Sequence, residues 1–304
     1  MQNQLAASAP RTRLQRIVSR VLTAVFPELG AHFKLTVDNA AQFRKLADLI
    51  LFSETRQLQA EHPNPLNKFG RKCFSQTDED GITLEILKRI GALEGGSFVE
   101  FGVGDGTENN TLILASLGWK GFWIGERDLA FRYSLTDRFL YQNAWITLDN
   151  ILGLAQKGLA HIQVNNPDVI SIDLDGNDIY FVEKLLSGKL RPKLFIVEYN
   201  AKFPPPIEFQ ISYDPAHVWG QDDYFGASLC SFVKLFSAHR YRLVCCNSHT
   251  GSNAFFVDSI YEERFRDVPT DIDRLYAEPR YFLYNCYGHK PSPKSIERIF
   301  GLSP

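Results

Sequence analysis

The sequence predicts an α/β fold: a mostly parallel sheet with helices on both faces. Three observations carry this. Short apolar runs at 98–101, 121–126, 169–173 and 194–198 alternate with helical patterns, as in sheets whose parallel strands are joined by crossover helices. The first run breaks into alternating glycines, Gly102, Gly104 and Gly106, just before a helical pattern at 110–117. Strands also end in acids at Glu100, Asp173 and Glu198, on the carboxyl edge where open parallel sheets bind ligands.

The bulk numbers describe an ordinary globular chain. It has 304 residues, 44% hydrophobic and 22% charged, with a formal charge of −2. That balance exerts no pull toward nucleic acid or anionic membrane, and no basic stripe lines the expected cleft, so nucleic acid is excluded as a partner. The five cysteines are scattered without zinc spacing or a disulfide framework, which reads as reduced thiols in a cytoplasmic protein. No apolar run approaches the ~20 residues of a membrane span, and no signal-peptide pattern is evident.

Residues 1–10 are polar. In 11–26, Leu14, Ile17, Val18, Val21, Leu22 and Val25 share one helical face, while Arg11, Arg13, Arg16 and Arg20 lie mostly on the others. The stripe is narrow and fits a helix docked on the main domain or on a second chain better than a membrane helix. A second helix is expected over 39–59, and His62-Pro63-Asn64-Pro65 ends it. Residues 1–65 thus form a helical N-terminal extension, and a homo-oligomer through its helices is one open partner. The main domain is expected over 66–260, followed by a C-terminal extension at 261–304.

Within the main domain, Ser75 to Gly81 precedes the periodic run Ile82, Leu84, Ile86, Leu87 and Ile90. It reads as an N-capped helix with acids in its first turn, where the macrodipole favours them. More polar groups stand there than capping needs, so this turn is also a candidate to face a ligand. A third strand is expected over 144–148, with Asp149-Asn150 opening a helix. Residues 203–225 have neither helical nor strand period; three prolines and several aromatics make them an insertion or lid over the carboxyl edge. A helix near 226–239 and two strands, 241–246 and 253–257, close the domain. The short polar turn between those strands makes that pair an antiparallel hairpin.

The glycine loop carries the first chemical inference. A dinucleotide loop would place its third glycine where this chain has Thr107. Glu100 and Asp105 flank the turn and would repel a pyrophosphate by roughly 1–4 kcal/mol each at ~4 Å. The same acids suit a ligand with an amine, a sulfonium and a ribose diol, which describes S-adenosylmethionine. Glu126 stands about 20 residues beyond the loop, where nucleotide-binding α/β folds hold ribose hydroxyls.

Several segments together resemble the FkbM-like class of S-adenosylmethionine-dependent methyltransferases. They are Glu100-Phe101-Gly102-Val103-Gly104-Asp105-Gly106, Gln76 with Glu79-Asp80-Gly81, Ser171-Ile172-Asp173-Leu174-Asp175-Gly176-Asn177-Asp178, and Val197-Glu198-Tyr199-Asn200-Ala201-Lys202-Phe203. Tyr213-Asp214-Pro215, Asp223 to Ser228 and Asn253 to Val257 match too, so the resemblance spans residues 70–258. It implies a Rossmann-like, seven-stranded, mostly parallel sheet with an antiparallel last strand, the class I methyltransferase fold. It also implies O-methylation of a sugar, glycan or natural-product acceptor. In one departure, Gly125 separates Ile124 from Glu126, where the acid is expected directly after the isoleucine.

Candidate residues follow for each half of such a reaction. Glu100, Gly102, Gly104 and Asp105 would surround the methionine part of the donor, with Glu126 at its ribose and Asp149 near its adenine. Asp173, Asp175, Glu198 and Asn200, from neighbouring strand ends, could hold one Mg²⁺ through oxygen, as in catechol-type methyltransferases; equally, those acids could cap helices or bind sugar hydroxyls directly. For the acceptor's proton the candidates are His217 in the lid, Asp173 and Lys202; Lys202 could instead clamp an anionic acceptor. Trp219, Tyr213 and Tyr224 suit stacking on a sugar ring. The competing readings are an NAD- or nucleotide-sugar-dependent Rossmann enzyme and a non-catalytic glycan-binding module.

Overall fold

The computed structural model describes residues 27–220, 222–280, 296, 297 and 300. The basic pattern at 11–26 and most of the expected C-terminal extension beyond 280 lie outside them. The described residues fall into two compact units, one ending at Gln57 and the other beginning at Leu58.

The first unit is most of helix α1 (Pro27–Glu61). It starts well before the expected residue 39, because the sole glycine or proline between Pro27 and Pro63 is Gly30, in the first turn, and Pro27 suits that turn. Leu35, Phe43, Leu46, Leu49 and Ile50 are exposed along it.

The second unit is the α/β domain. Its strands are β1 (Ser97–Phe101), β2 (Lys120–Gly125), β3 (Phe139–Asn143), β4 (Val169–Ile172), β5 (Leu194–Glu198), β6 (Tyr241–Cys246) and β7 (Asn253–Asp258). They form one sheet in the order β3-β2-β1-β4-β5-β7-β6. Neighbours from β3 to β5 are parallel, and β7 inserts antiparallel between β5 and β6. This is the Rossmann-like sheet of class I methyltransferases. β1, β4 and β7 are buried at every position, because a sheet covered on both faces demands near-continuous apolar runs.

Helix α2 (Glu79–Arg89) precedes these strands, and α3 (Leu112–Ser116), α4 (Ile151–Ile162), α5 (Asp178–Ser187), α6 (Leu229–Ala238) and α7 (Ile272–Leu275) connect or follow them. α3 is a short remnant of the helix expected over 110–117. The tail returns to the sheet: Phe300 stacks on Phe131 at 5.6 Å and meets the Trp123 ring edge-on. Among the described residues no helix is long and apolar enough to cross a membrane.

The third strand is a correction. Phe139 to Asn143 pairs with β2, whereas the apolar stretch at 144–148 is loop. There Asn150 accepts from the Thr147 amide at 2.8 Å and donates to the Trp145 carbonyl, and Tyr213 Oη accepts from the Leu148 amide at 3.1 Å. Side chains thus satisfy a backbone that a strand would satisfy with a neighbour.

The departure at Gly125 has a steric cause. The Gly102 and Val103 amides both donate to the Ile124 carbonyl, at 3.0 and 3.1 Å. The glycine loop is thereby drawn so close to β2 that a Cβ on Gly125 would sit 1.9 Å from the Val103 oxygen. On the other side, a Cβ on Gly102, whose φ is +95°, would sit 1.7 Å from the Asp173 carbonyl. The loop is wedged between two strand ends, and glycine is required where it touches each. Gly125→Ala therefore destabilises the domain by about 2 kcal/mol or more in urea unfolding; a loss below about 0.5 kcal/mol would show that the wedge is not rigid.

Candidate active site

Glu100 is the buried centre of the first strand-to-helix turn. It is 4% exposed, and its oxygens accept from the Asn110 amide (2.9 Å), the Thr111 amide (3.0 Å) and the Thr111 hydroxyl (2.5 Å). The Trp123 indole donates to the same hydroxyl at 2.8 Å. Burial raises this carboxyl's pKa against the pull of those hydrogen bonds. Glu100 therefore caps the start of α3 and ties β1 to β2. Its oxygens face the loop's own amides and leave no face for direct contact with a methionine amine.

Asp105 is exposed at the loop tip and accepts from the Thr107 amide and hydroxyl. Beside it Gly104 is exposed, and a Cβ there would meet nothing within 4 Å. Glu126 is exposed just past β2, and Asp149 is exposed before α4. Gly104, Asp105 and Glu126 thus stand at the carboxyl ends of β1 and β2; Asp149 lies six residues beyond the end of β3.

The second half of the site lies at the ends of β4 and β5. Asp173, Asp175 and Glu198 each offer an oxygen, all within 4.8 Å of one another. Asp178 builds the loop that brings Asp175 in, accepting from the Leu174 amide at 2.8 Å and the Gly176 amide at 2.9 Å. Asp175 itself takes a left-handed conformation, φ +53°. That costs about 1 kcal/mol and is concentrated at functional sites. Burial first, and then the neighbouring carboxylates, pushes Asp173 and Glu198 well above the usual carboxyl range, and a hydrogen bond joins the two. Burial also raises Asp175, opposed first by the nearby Arg127 guanidinium.

Asn200 does not join this group. Its amide nitrogen donates to the Asp223 and Phe225 carbonyls, both at 2.9 Å, and its oxygen accepts from the Lys202 amide at 3.2 Å. It is a strap for the lid's return, and its expected role as a metal ligand is corrected. Lys202 is exposed and ion-paired with Asp223.

The insertion at 203–225 meets the carboxyl edge at Ile211, Asp214 and Pro215. Trp145 Nε1 donates to the Pro215 carbonyl, Asn177 Nδ2 to the Asp214 carbonyl and Tyr180 Oη to the Ile211 carbonyl, at 2.7–2.8 Å. His217 rests directly on Gly176: a Cβ there would lie 2.3 Å from its Cδ2. Its Nε2 is buried and has no hydrogen-bond partner among the described residues. Of the lid aromatics, Tyr213 packs edge-on against Tyr180 at 5.6 Å, while Trp219 and Tyr224 stay exposed.

Sequence reasoning missed one wall of the site. The turn between β6 and β7 is buried, with Asn247, Ser248, His249 and Thr250 at most 2% exposed. Asn247 Nδ2 reaches Thr77, Asp78, Glu79 and Thr250 at 3.0–3.1 Å. The polar turn before α2 is therefore consumed by this contact. Its Glu79 is still near enough to raise Asp173 further.

No family model matches the chain, and no curated protein does. One solved structure that it resembles is a MycE methyltransferase from the mycinamycin biosynthetic pathway in complex with Mg, SAH and mycinamycin VI, with 13% identity and a TM-score of 0.32. The match covers 58% of this chain, which spans 44% of the length of that one.

The buried acids set a pH dependence. Asp80, which accepts from the amides of Cys73, Phe74 and Ser75, and Asp178 are both pushed up to about 6, chiefly by burial. The unfolded chain loses these protons first, near pH 4, so their contribution is complete below pH 4 and is lost as pH rises through about 6. Each group accounts for up to about 3 kcal/mol. Urea unfolding from pH 4 to 7 should show this fall and a shallower one in Asp80→Asn; identical pH profiles would contradict the assignment.

Proposed function

We propose that this chain is an S-adenosylmethionine-dependent O-methyltransferase acting on a hydroxyl of a sugar, glycan or natural-product acceptor, with a divalent cation such as Mg²⁺ beside the acceptor. The observation that carries the proposal is the meeting of Asp173, Asp175 and Glu198 under a lid that brings the orphaned His217 Nε2 to the same edge. A buried imidazole nitrogen without a partner and three clustered carboxylates fit a cation and a hydroxyl better than they fit a phosphate. Open space above Gly104 fits a donor that approaches the backbone closely.

S-adenosylmethionine would supply an electrophilic methyl group, and the cation would make the acceptor hydroxyl more acidic. The protein's share is placement and one proton. Gly104 and Asp105 border the donor's methionine end, Glu126 accepts hydrogen bonds from the ribose hydroxyls, and Asp149 lies toward the adenine. The lid covers the acceptor and limits water. His217 Nε2 would take the proton that the acceptor hydroxyl gives up on methylation. Lys202, held by Asp223 at the lid margin, is the cation available to an anionic acceptor.

The direct test is transfer of labelled methyl groups to a panel of nucleotide sugars and surface glycans, with and without Mg²⁺. Transfer that stops in excess EDTA is expected; full activity in EDTA would remove the cation from the reading, and binding of NAD without any transfer would favour an oxidoreductase. His217→Ala should lower kcat by about 100-fold or more with the fold intact, and retention of most of kcat would exclude the His as base. Gly104→Val should abolish S-adenosylmethionine binding in calorimetry while leaving Tm unchanged, because its side chain enters open space rather than the core.

A further inference from the structure

Asn253 opens β7 and lies directly opposite Glu198, the last residue of β5, in the antiparallel register. Opposed residues on paired strands share a face with their Cβ atoms about 5 Å apart, so this side chain stands beside the carboxylate cluster. It is 3% exposed. Its amide nitrogen donates to Glu79 Oε1 at 3.1 Å, which decides the orientation: the flipped amide would set oxygen against oxygen. Glu79 is itself locked by Thr77, whose amide and hydroxyl both donate to it, at 2.8 and 2.7 Å. The other end of the carboxamide, Oδ1, is buried and has no hydrogen-bond partner among the described residues.

An acceptor left bare in a buried site costs about 1–3 kcal/mol. Here its neighbours are carboxylates, which offer no donor when ionised. Resting on the cation reading given above, we propose that Asn253 Oδ1 is the fourth protein oxygen for that cation, joining Asp173, Asp175 and Glu198, and that Glu79 is its positioning residue. A neutral carbonyl suits such a site, since Mg²⁺ and Mn²⁺ take oxygen ligands and a further carboxylate would add to the repulsion among three acids already in place. The site then draws on the ends of β4, β5 and β7, and the sheet's antiparallel strand gains a chemical role.

Calorimetry and electron paramagnetic resonance of Mn²⁺ added to the full chain test this without any methyl acceptor. The wild type should bind one Mn²⁺, and Asn253→Ala should weaken it by about tenfold or more. Ser97→Ala, which cuts the bond from a buried hydroxyl to Asp168 at the opposite, amino end of β1, should leave the affinity unchanged. Asn253→Ala binding within twofold of the wild type, or Ser97→Ala losing as much as Asn253→Ala, would overturn the assignment. If Asn253→Ala does not fold, Asn253→Gln, which keeps the carboxamide but displaces its oxygen, should bind Mn²⁺ at least threefold more weakly; unchanged binding would overturn it. A wild type that binds no Mn²⁺ defeats the cation reading itself, a failure visible before any variant is made.

Discussion

Three carboxylates whose oxygens lie within 4.8 Å of one another, two of them raised far above their ordinary pKa, are the constraint around which this domain is built. At about 4 Å and an effective dielectric of about 20, each ionised pair would repel by about 4 kcal/mol. A fold tolerates that only when other interactions fix the groups. β4 and β5 are adjacent in the sheet, which brings Asp173 near Glu198. Asp178 folds the loop that presents Asp175, and Asn177 and Tyr180 hold the lid above it. Burial and mutual repulsion both favour the protonated forms of Asp173 and Glu198; a divalent cation would favour the ionised ones.

The glycine loop obeys a different rule. It is held by backbone contacts to β2 and by Glu100, whose oxygens are spent on the amides and hydroxyl at the start of α3. The acid that ends β1 is thus a structural clamp, and the charge offered at the sheet's surface comes from Asp105 and Glu126. The edge divides into a glycine-rich half at β1 and β2 and an acidic, lid-covered half at β4 and β5. A transfer reaction needs that division, because donor and acceptor must lie side by side without sharing ligands.

Much of this was legible in the residues. Apolar runs ended by an acid or a glycine located β1, β2, β4 and β5, and the polar turn at 248–252 marked the closing hairpin. β3 was misplaced because its own residues, Phe139 to Asn143, include a half-buried leucine and polar groups, whereas the more apolar 144–148 owes its shape to Asn150 and Tyr213. Of the four residues expected at the cation set, the three acids meet at one edge, whereas the Asn200 carboxamide faces the lid's return; neighbours in sequence do not reveal which way an amide faces once a lid returns over it. Glu100 poses a related difficulty: a carboxylate next to a glycine loop looks the same in sequence whether it turns toward a ligand or, as here, toward the next helix. The pairing of Glu198 with Asn253 required the order β5-β7-β6, in which the chain's last strand slips between two earlier ones.

The central claim is that the loop half of this edge accepts a sulfonium nucleoside rather than a dinucleotide, and equilibrium binding to the unmodified chain tests it most directly. Titration with S-adenosylhomocysteine and, separately, with NAD⁺ should give saturable one-to-one binding of the first and none of the second. Saturable binding of NAD⁺ with no response to S-adenosylhomocysteine would contradict the account.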